Sequence, residues 1–266
     1  MFKKDFDSLA DFANFAEQWG RDSKIRSHQG TRWYGCEFSE ALTLARTGWG
    51  EGAAQALALA TRLGHTASSM VLQHDPFMAT EGIELDIGAY TSGVPECWID
   101  AQPAYRPAQG GVVTLVASFG ATSAVSPRQM IARGCAVAAA VAALETAGRS
   151  VEVFVANPAV GGGGDSAMAR VKVKSAGQPL DLSILSYATG HPSMLRRLGF
   201  AFRDYCCNQE GIQVGPRDSY GRSINVPKED RGDVYAPVLL GTRSEAATMK
   251  WIAEVLTEQG IEIGAA

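Results

Sequence analysis

The sequence has few of the residues that build metal sites and disulfide frameworks. Its cysteines are five in number, with no Cys-x-x-Cys pair, and its four histidines are scattered along the chain. A structural zinc site needs about four ligands in paired short spacings, and none can be assembled locally. We predict no metal and no cofactor, and we interpret Cys206 and Cys207 as ordinary thiols, with a strained vicinal disulfide as the less favoured alternative.

Long apolar runs are also absent. No run reaches the roughly 18 residues that a membrane helix requires, and the first residues, Met1-Phe2-Lys3-Lys4-Asp5, lack the apolar stretch of a secretion signal. With 24 basic and 28 acidic side chains, the chain of 266 residues is not uniformly basic, and 46% of it is hydrophobic. That fraction is too high for a disordered chain. We expect a soluble globular protein without a membrane partner.

The motifs of common active sites are missing as well. The glycine run at 161–164 is followed by Asp165-Ser166-Ala167 rather than by the Lys-Ser/Thr pair of a P-loop. No Gly-x-Ser-x-Gly elbow and no His-x-x-x-His pair occurs. We therefore interpret the glycines as a hairpin tip, and we assign no catalytic residue.

The second half contains the clearest secondary-structure pattern. An apolar run at 112–117 is followed by Ser126 and Pro127, which are typical of a helix N-terminus. The helix should extend to about Ala147, and a second apolar run follows at 151–155. Such a unit predicts two parallel strands with a right-handed crossover. The alternating segment 168–174 then predicts a hairpin back along the second strand.

The carboxyl end of the 112–117 strand is where open α/β sheets bind their ligands. The hydroxyl side chains there are candidates to hold an anion or to share a metal: Ser118, Thr122, Ser123 and Ser126. The alternative is that they serve only as turn and cap residues.

A basic helix is predicted between Pro192 and Tyr205. Apolar residues at helical spacing should face the sheet, which would leave Arg196, Arg197 and Arg203 at the surface. Residues 127–231 carry 13 basic and 9 acidic side chains, so this part of the chain is the candidate to meet an anionic partner. We interpret the three arginines as an interface, with a solvated face or internal ion pairs as the alternative.

The chain divides by pattern into three parts. Residues 1–64 predict a helical N-terminal region, residues 65–109 an irregular connecting layer with short strands, and residues 110–266 an α/β domain. The predicted fold class is α/β, with a doubly wound, Rossmann-like sheet next to the helical N-terminal region.

From strand 112–117 onward, the order of elements resembles the von Willebrand factor A-type domain. That family places an Asp-x-Ser-x-Ser metal motif after its first strand, and the matching stretch here is Ser118-Phe119-Gly120-Ala121-Thr122. Serine replaces the metal-anchoring aspartate, so the motif is degenerate. The resemblance covers about 112–260 and implies a doubly wound sheet and a protein-binding role.

Segments along nearly the whole chain are similar to an uncharacterised family of tailed bacteriophages. They are Phe38-Ser39-Glu40-Ala41 with Thr47-Gly48-Trp49, Gly93-Val94-Pro95-Glu96-Cys97, and Leu180-Asp181-Leu182 with His191-Pro192-Ser193-Met194-Leu195-Arg196-Arg197. The resemblance implies a phage protein in the infected host cytoplasm or in the virion. We expect a non-enzymatic protein that binds another protein, as a virion component or as an adaptor for an ATPase. The alternatives are a nucleic-acid-binding accessory protein and an enzyme with an unrecognised site.

Overall fold

The structure, a computed structural model, describes residues 1–20, 31–64, 70–107, 111–214, 222–240 and 245–259. Within these ranges the strands are β1 (Phe2–Phe6), β2 (Met70–Ala79), β3 (Glu84–Leu85), β4 (Trp98–Pro107), β5 (Val112–Ser118), β6 (Ser150–Val160), β7 (Ser166–Lys174), β8 (Arg222–Ser223) and β9 (Val234–Ala236).

The helices of the same ranges are α1 (Leu9–Trp19), α2 (Thr31–Tyr34), α3 (Phe38–Thr47), α4 (Gly50–Gly64), α5 (Ile87–Thr91), α6 (Pro127–Thr146), α7 (Leu182–Gly190), α8 (Phe200–Gln209) and α9 (Glu245–Glu258). A π-helix, Met194–Gly199, runs directly into α8, and a short 3-10 helix spans Lys228–Asp230. In the described part of the chain, no helix is long and apolar enough to cross a membrane.

The main sheet has the strand order β1-β7-β6-β5-β9, with β8 paired to the end of β6. β5 and β6 are parallel neighbours joined by α6, and β6 and β7 form an antiparallel hairpin. These pairings confirm the β-α-β unit and the hairpin predicted from the sequence. Because β9 covers the other side of β5, the predicted unit lies inside the sheet.

The two faces of the sheet are covered differently. Alternate residues of β5, such as Val113 and Leu115, belong to the large core, to which every described α-helix except α5 contributes. On the opposite face, Val116 belongs to a small cluster with Ala156, Met168 and Val226. The fold is therefore mixed α/β with a mostly parallel sheet, and the doubly wound, von Willebrand A-like arrangement is not confirmed.

The N-terminal region contains a strand that the sequence pattern does not reveal. Residues 1–64 predict helices, but β1 pairs in parallel with β7 and forms an edge of the main sheet. The two lysines at positions 3 and 4 interrupt the apolar alternation that identifies most strands. β1 forms because β7 offers it an open edge, which is a contact between distant parts of the chain.

Strands in the segment 65–109 are longer than expected. β2 and β4 pair antiparallel over ten residues each, although prolines in this segment predict short or edge strands. β3 pairs only with Trp98 and Ile99 of β4, so Pro103 and Pro107 lie where that side of β4 is open. Proline has no backbone N–H to donate. These prolines are tolerated because, among the described strands, none lies beside them on that side of β4 to accept such a hydrogen bond. Residues 65–69 and 108–110 lie outside the described residues.

The expectation that the basic helix exposes its arginines is wrong. Arg196, Arg197 and Arg203 are 1%, 0% and 3% exposed. All six residues of the π-helix are buried, since α1, α3, α7 and α8 contact it from several sides. An arginine in such a segment is largely shielded from bulk solvent, so its donors need partners inside the protein.

Helices α6 and α7 approach each other closely at two glycines. A Cβ atom added to Gly134 would lie 2.0 Å from Cα of Gly190. The Thr189 hydroxyl also donates to the Gly134 carbonyl over 3.1 Å. The crossing therefore requires glycine for reasons of space, because the neighbouring atoms belong to backbone.

We predict that Gly134→Ala destabilises the protein by about 1–3 kcal/mol, the range typical of overpacked cores. The measurement is urea unfolding monitored by circular dichroism. Gly50→Ala is the matched control, because a Cβ there meets no atom within 4 Å. Equal free energies of unfolding for the two variants would contradict the close crossing.

Candidate functional site

A cavity of about 770 Å³ lies at the carboxyl ends of β5 and β6. It is enclosed by the loop after β5, the glycine tip after β6, the start of β8, and the π-helix together with α8. We call it the arginine pocket, and its described lining consists of Trp33, Ala121, Thr122, Ser123, Val160, Gly161, Gly162, Gly164, Leu195, Arg196, Phe200, Arg203, Arg222 and Ser223.

The predicted hydroxyl loop divides into two roles. Thr122 and Ser123 line the arginine pocket. Ser118 is fully buried and its hydroxyl accepts the Gly120 N–H, while Ser126 forms a capping box with Gln129 at the start of α6. The ligand-loop prediction therefore places two of its four residues at the cavity, and the other two shape the loop.

Arg196 connects the π-helix to α2 and to the loop before α6. Its guanidinium donates to the carbonyls of Trp33 and Val125 over 2.5 and 2.6 Å, and its Cζ lies 4.0 Å from the centroid of the Trp33 ring. Burial lowers the pKa of Arg196 to about 10. The two carbonyls carry only partial charges, so the positive charge of this side chain contributes to the potential of the pocket.

Arg203 contributes a second buried cation to the wall. Its Nη2 atom donates to the Ser223 hydroxyl over 2.9 Å and to Asn157 Oδ1 over 3.3 Å. Burial lowers the pKa of Arg203 to about 10. Gly120 makes this approach possible, because a Cβ there would lie 2.8 Å from Asn157 Oδ1.

Arg222 and the glycine tip form the open side of the cavity. Arg222 is exposed and pairs through its backbone with Val160. Gly161 has no room for a side chain, because a Cβ would lie 1.7 Å from the Gln213 carbonyl oxygen, and Gly164 has a φ of +88°. The glycine run is thus a hairpin tip, as predicted, and its backbone also lines the pocket.

The lining is strongly asymmetric in charge. Three arginines come from three elements, and none of the described lining residues is acidic. Hydroxyls of Thr122, Ser123 and Ser223 supply neutral hydrogen-bonding groups beside them. Such a lining attracts an anion, because guanidinium donors match the oxygen geometry of phosphate and carboxylate groups.

Arg197 points away from this pocket, although it is adjacent to Arg196 in sequence. Its Nε donates to the Cys36 carbonyl over 3.1 Å, and Glu37 lies 3.8 Å from its Nη2 atom. The guanidinium also stacks on the Tyr34 ring at 4.1 Å. The structure therefore separates the three predicted interface arginines into two that line the pocket and one that joins α2 and α3 to the π-helix.

A second cavity, of about 700 Å³, lies beside His191. Its lining includes Arg32 together with Glu40 and Glu51, so its charges are mixed. This mixture favours neither an anionic nor a cationic ligand, so the arginine pocket is the better candidate site.

A buried network beside the second cavity gave no signal in the sequence analysis. Ser193 Oγ lies 2.8 Å from His191 Nδ1 and 3.1 Å from Tyr187 Oη, and the Tyr187 hydroxyl donates to the Ala41 carbonyl. The Ser193 N–H also donates to Nδ1, so the neutral ring carries its proton on Nε2. Burial raises the pKa of the nearby Cys36 thiol to about 11. The network is neutral and joins the end of α7 to α3.

Metal ligands are not gathered in the described ranges. There, no group of three or more His, Cys, Asp and Glu side chains could hold an ion. Cys206 and Cys207 are both free thiols, as the sequence predicts.

The fold and the pocket together define a mixed α/β protein with an arginine-lined cavity at the edge of its main sheet. Residues 1–263 match DUF7192, which is described as a domain of unknown function, and the chain belongs to that family. No curated protein and no solved structure matches the chain. The family match indicates neither a phage origin nor a von Willebrand A-like domain.

Burial lowers the pKa of His191 to about 4, whereas an unfolded histidine titrates near pH 6.5. Between pH 4 and pH 6.5 the unfolded state binds more protons than the folded state. Protonation therefore favours unfolding as the pH falls, and the stability present above pH 6.5 is lost. We predict that the free energy of unfolding decreases by up to about 3 kcal/mol over this window.

Urea unfolding at several pH values measures this effect, with His191→Gln as the reference that cannot titrate. The difference between wild type and variant isolates the histidine from the carboxylates. A difference that stays constant from pH 7 to pH 4 would show that His191 is accessible to protons in the folded state.

Proposed function

We propose that the protein binds a small ligand that carries a phosphate or carboxylate group in the arginine pocket. The observation that carries this proposal is the convergence of Arg196, Arg203 and Arg222 on one cavity whose described lining has no acidic residue. Volumes of about 300–1,000 Å³ are typical of small-molecule sites. The position also agrees with the rule that open α/β sheets bind ligands beyond the carboxyl ends of their strands.

Burial strengthens the attraction for an anion. Arg196 and Arg203 are almost fully buried, and loss of hydration is the main reason that their pKa values are lowered. A ligand oxygen near these guanidiniums would interact through a medium of low dielectric constant, where charge pairs are stronger than in water. The exposed Arg222 would meet the ligand first at the mouth of the pocket.

The lining supports binding rather than catalysis. Its described residues are arginines, hydroxyl residues, glycines and apolar residues, and they include no histidine or carboxylate to transfer a proton. The guanidinium of arginine remains protonated at neutral pH and serves as a donor.

A nucleic-acid partner is the second candidate, because arginines also contact phosphates in DNA and RNA. Burial of Arg196 and Arg203 favours a small ligand over a duplex, whose backbone needs charges on an open surface. The earlier expectations of a phage origin, of a von Willebrand A-like protein-binding role and of a location in the infected host or virion stay predictions.

We predict that Arg222→Ala weakens the binding of pyrophosphate by roughly tenfold, since one charge-assisted hydrogen bond is lost. Isothermal titration calorimetry measures the dissociation constant. Arg128→Ala is the control, because this arginine is also exposed but does not line the pocket. Equal dissociation constants for wild type and Arg222→Ala would contradict the proposal.

A second pair of variants tests the sign of the charge. Ser123→Glu places a carboxylate in the lining and should abolish pyrophosphate binding, while Ala124→Glu adds the same charge at an exposed neighbour outside it. A single-stranded oligonucleotide titrated in parallel separates the two candidates. Tighter binding of the oligonucleotide, with a steep decrease at higher salt, would favour the nucleic-acid partner.

A further inference from the structure

Exposed apolar side chains are concentrated in the segment that contains β3 and α5, none of whose residues lines the arginine pocket. We call residues 76–101 the acidic arm. Large side chains of the arm are exposed to solvent: Phe77, Met78, Ile83, Ile87, Tyr90 and Val94. Ile83, Ile87 and Tyr90 are 79%, 70% and 62% exposed. Most of the large exposed apolar residues in the described part of the chain belong to this arm.

The arm is not part of either hydrophobic core. Of its side chains, only Cys97 is buried in the described structure, and no arm residue belongs to the two core clusters. The extensive contacts of β2, β3 and β4 within the described ranges are with one another. A small sheet without a core is marginally stable alone, and a concentration of exposed large apolar side chains marks an interaction surface.

The charge of the arm defines the partner. It contains five acidic residues and no lysine, arginine or histidine: Glu81, Glu84, Asp86, Glu96 and Asp100. Two such arms would repel each other, so pairing of arms between two copies is disfavoured. A surface that offers apolar side chains together with lysine or arginine satisfies both features of the arm.

We propose that the acidic arm binds the apolar face of an amphipathic segment, flanked by lysine or arginine, on a partner protein. The apolar side chains of the arm contact that face, and its carboxylates pair with the flanking basic residues. Docking supplies the core that the arm lacks in the free protein. This surface is separate from the arginine pocket, so the inference does not depend on the pocket's ligand.

The probe for this proposal is a synthetic amphipathic helix of leucine and lysine, with a peptide of the same charge in which serine replaces leucine as its control. Fluorescence anisotropy measures binding of the labelled peptides to the full chain. We expect the leucine–lysine peptide to bind, its affinity to decrease at high salt, and the serine–lysine peptide to bind at least roughly tenfold more weakly.

Variants assign the binding to the arm. The combined variant Ile83→Ser, Ile87→Ser and Tyr90→Ser should bind the leucine–lysine peptide at least roughly tenfold more weakly than wild type. The unfolding midpoint should stay unchanged, because these side chains are exposed. Leu57→Ser combined with Leu240→Ser is the matched control, since both leucines are exposed outside the arm. The combined variant Glu81→Gln, Glu84→Gln and Glu96→Gln should lose most of the salt dependence of its affinity for the leucine–lysine peptide.

Two results would overturn the proposal. One is equal peptide binding by wild type and the triple serine variant, which would show that the arm is not the docking surface. The other is a wild-type dimer in sedimentation equilibrium that the triple serine variant abolishes, because the occupant of the arm would then be a second copy of this chain.

Discussion

The buried guanidinium of Arg196 joins the helical layer to the carboxyl edge of the main sheet. By donating to the carbonyls of Trp33 and Val125, it holds α2 and the loop before α6 against the π-helix. A buried cation is stable only where such acceptors surround it, so the contact couples these two segments. The wall of the arginine pocket, including Thr122 and Ser123, depends on this contact.

The modest net charge of −4 conceals a separation of charges. Arg196, Arg197 and Arg203 are buried, whereas the three glutamates and several large apolar side chains of the acidic arm are exposed. One feature suits a small anion and the other suits a basic protein surface. A DUF7192 protein with both would combine a ligand site with a docking surface, and the two can be tested separately.

Local patterns predicted the elements around the pocket well. Ser126 and Pro127 mark the start of α6, and apolar runs mark β5 and β6, because caps and buried strands leave signals within a few residues. Thr122 and Ser123, which the rule for carboxyl ends of strands selected, line the arginine pocket. Charge selected the three arginines as candidates, but the sequence did not predict that they are buried.

The sequence by itself determined the β-α-β unit, the hairpin and the helix that carries the arginines, since these follow from periodicity and capping. Only the tertiary structure decided that this helix is covered on several sides, that β1 adds to β7, and that His191 meets Ser193 and Tyr187. Helical spacing identifies one apolar face, but it carries no information on whether distant segments offer carbonyls to the other. Burial of Arg196 and Arg203 depends on those distant partners, and so does the pocket.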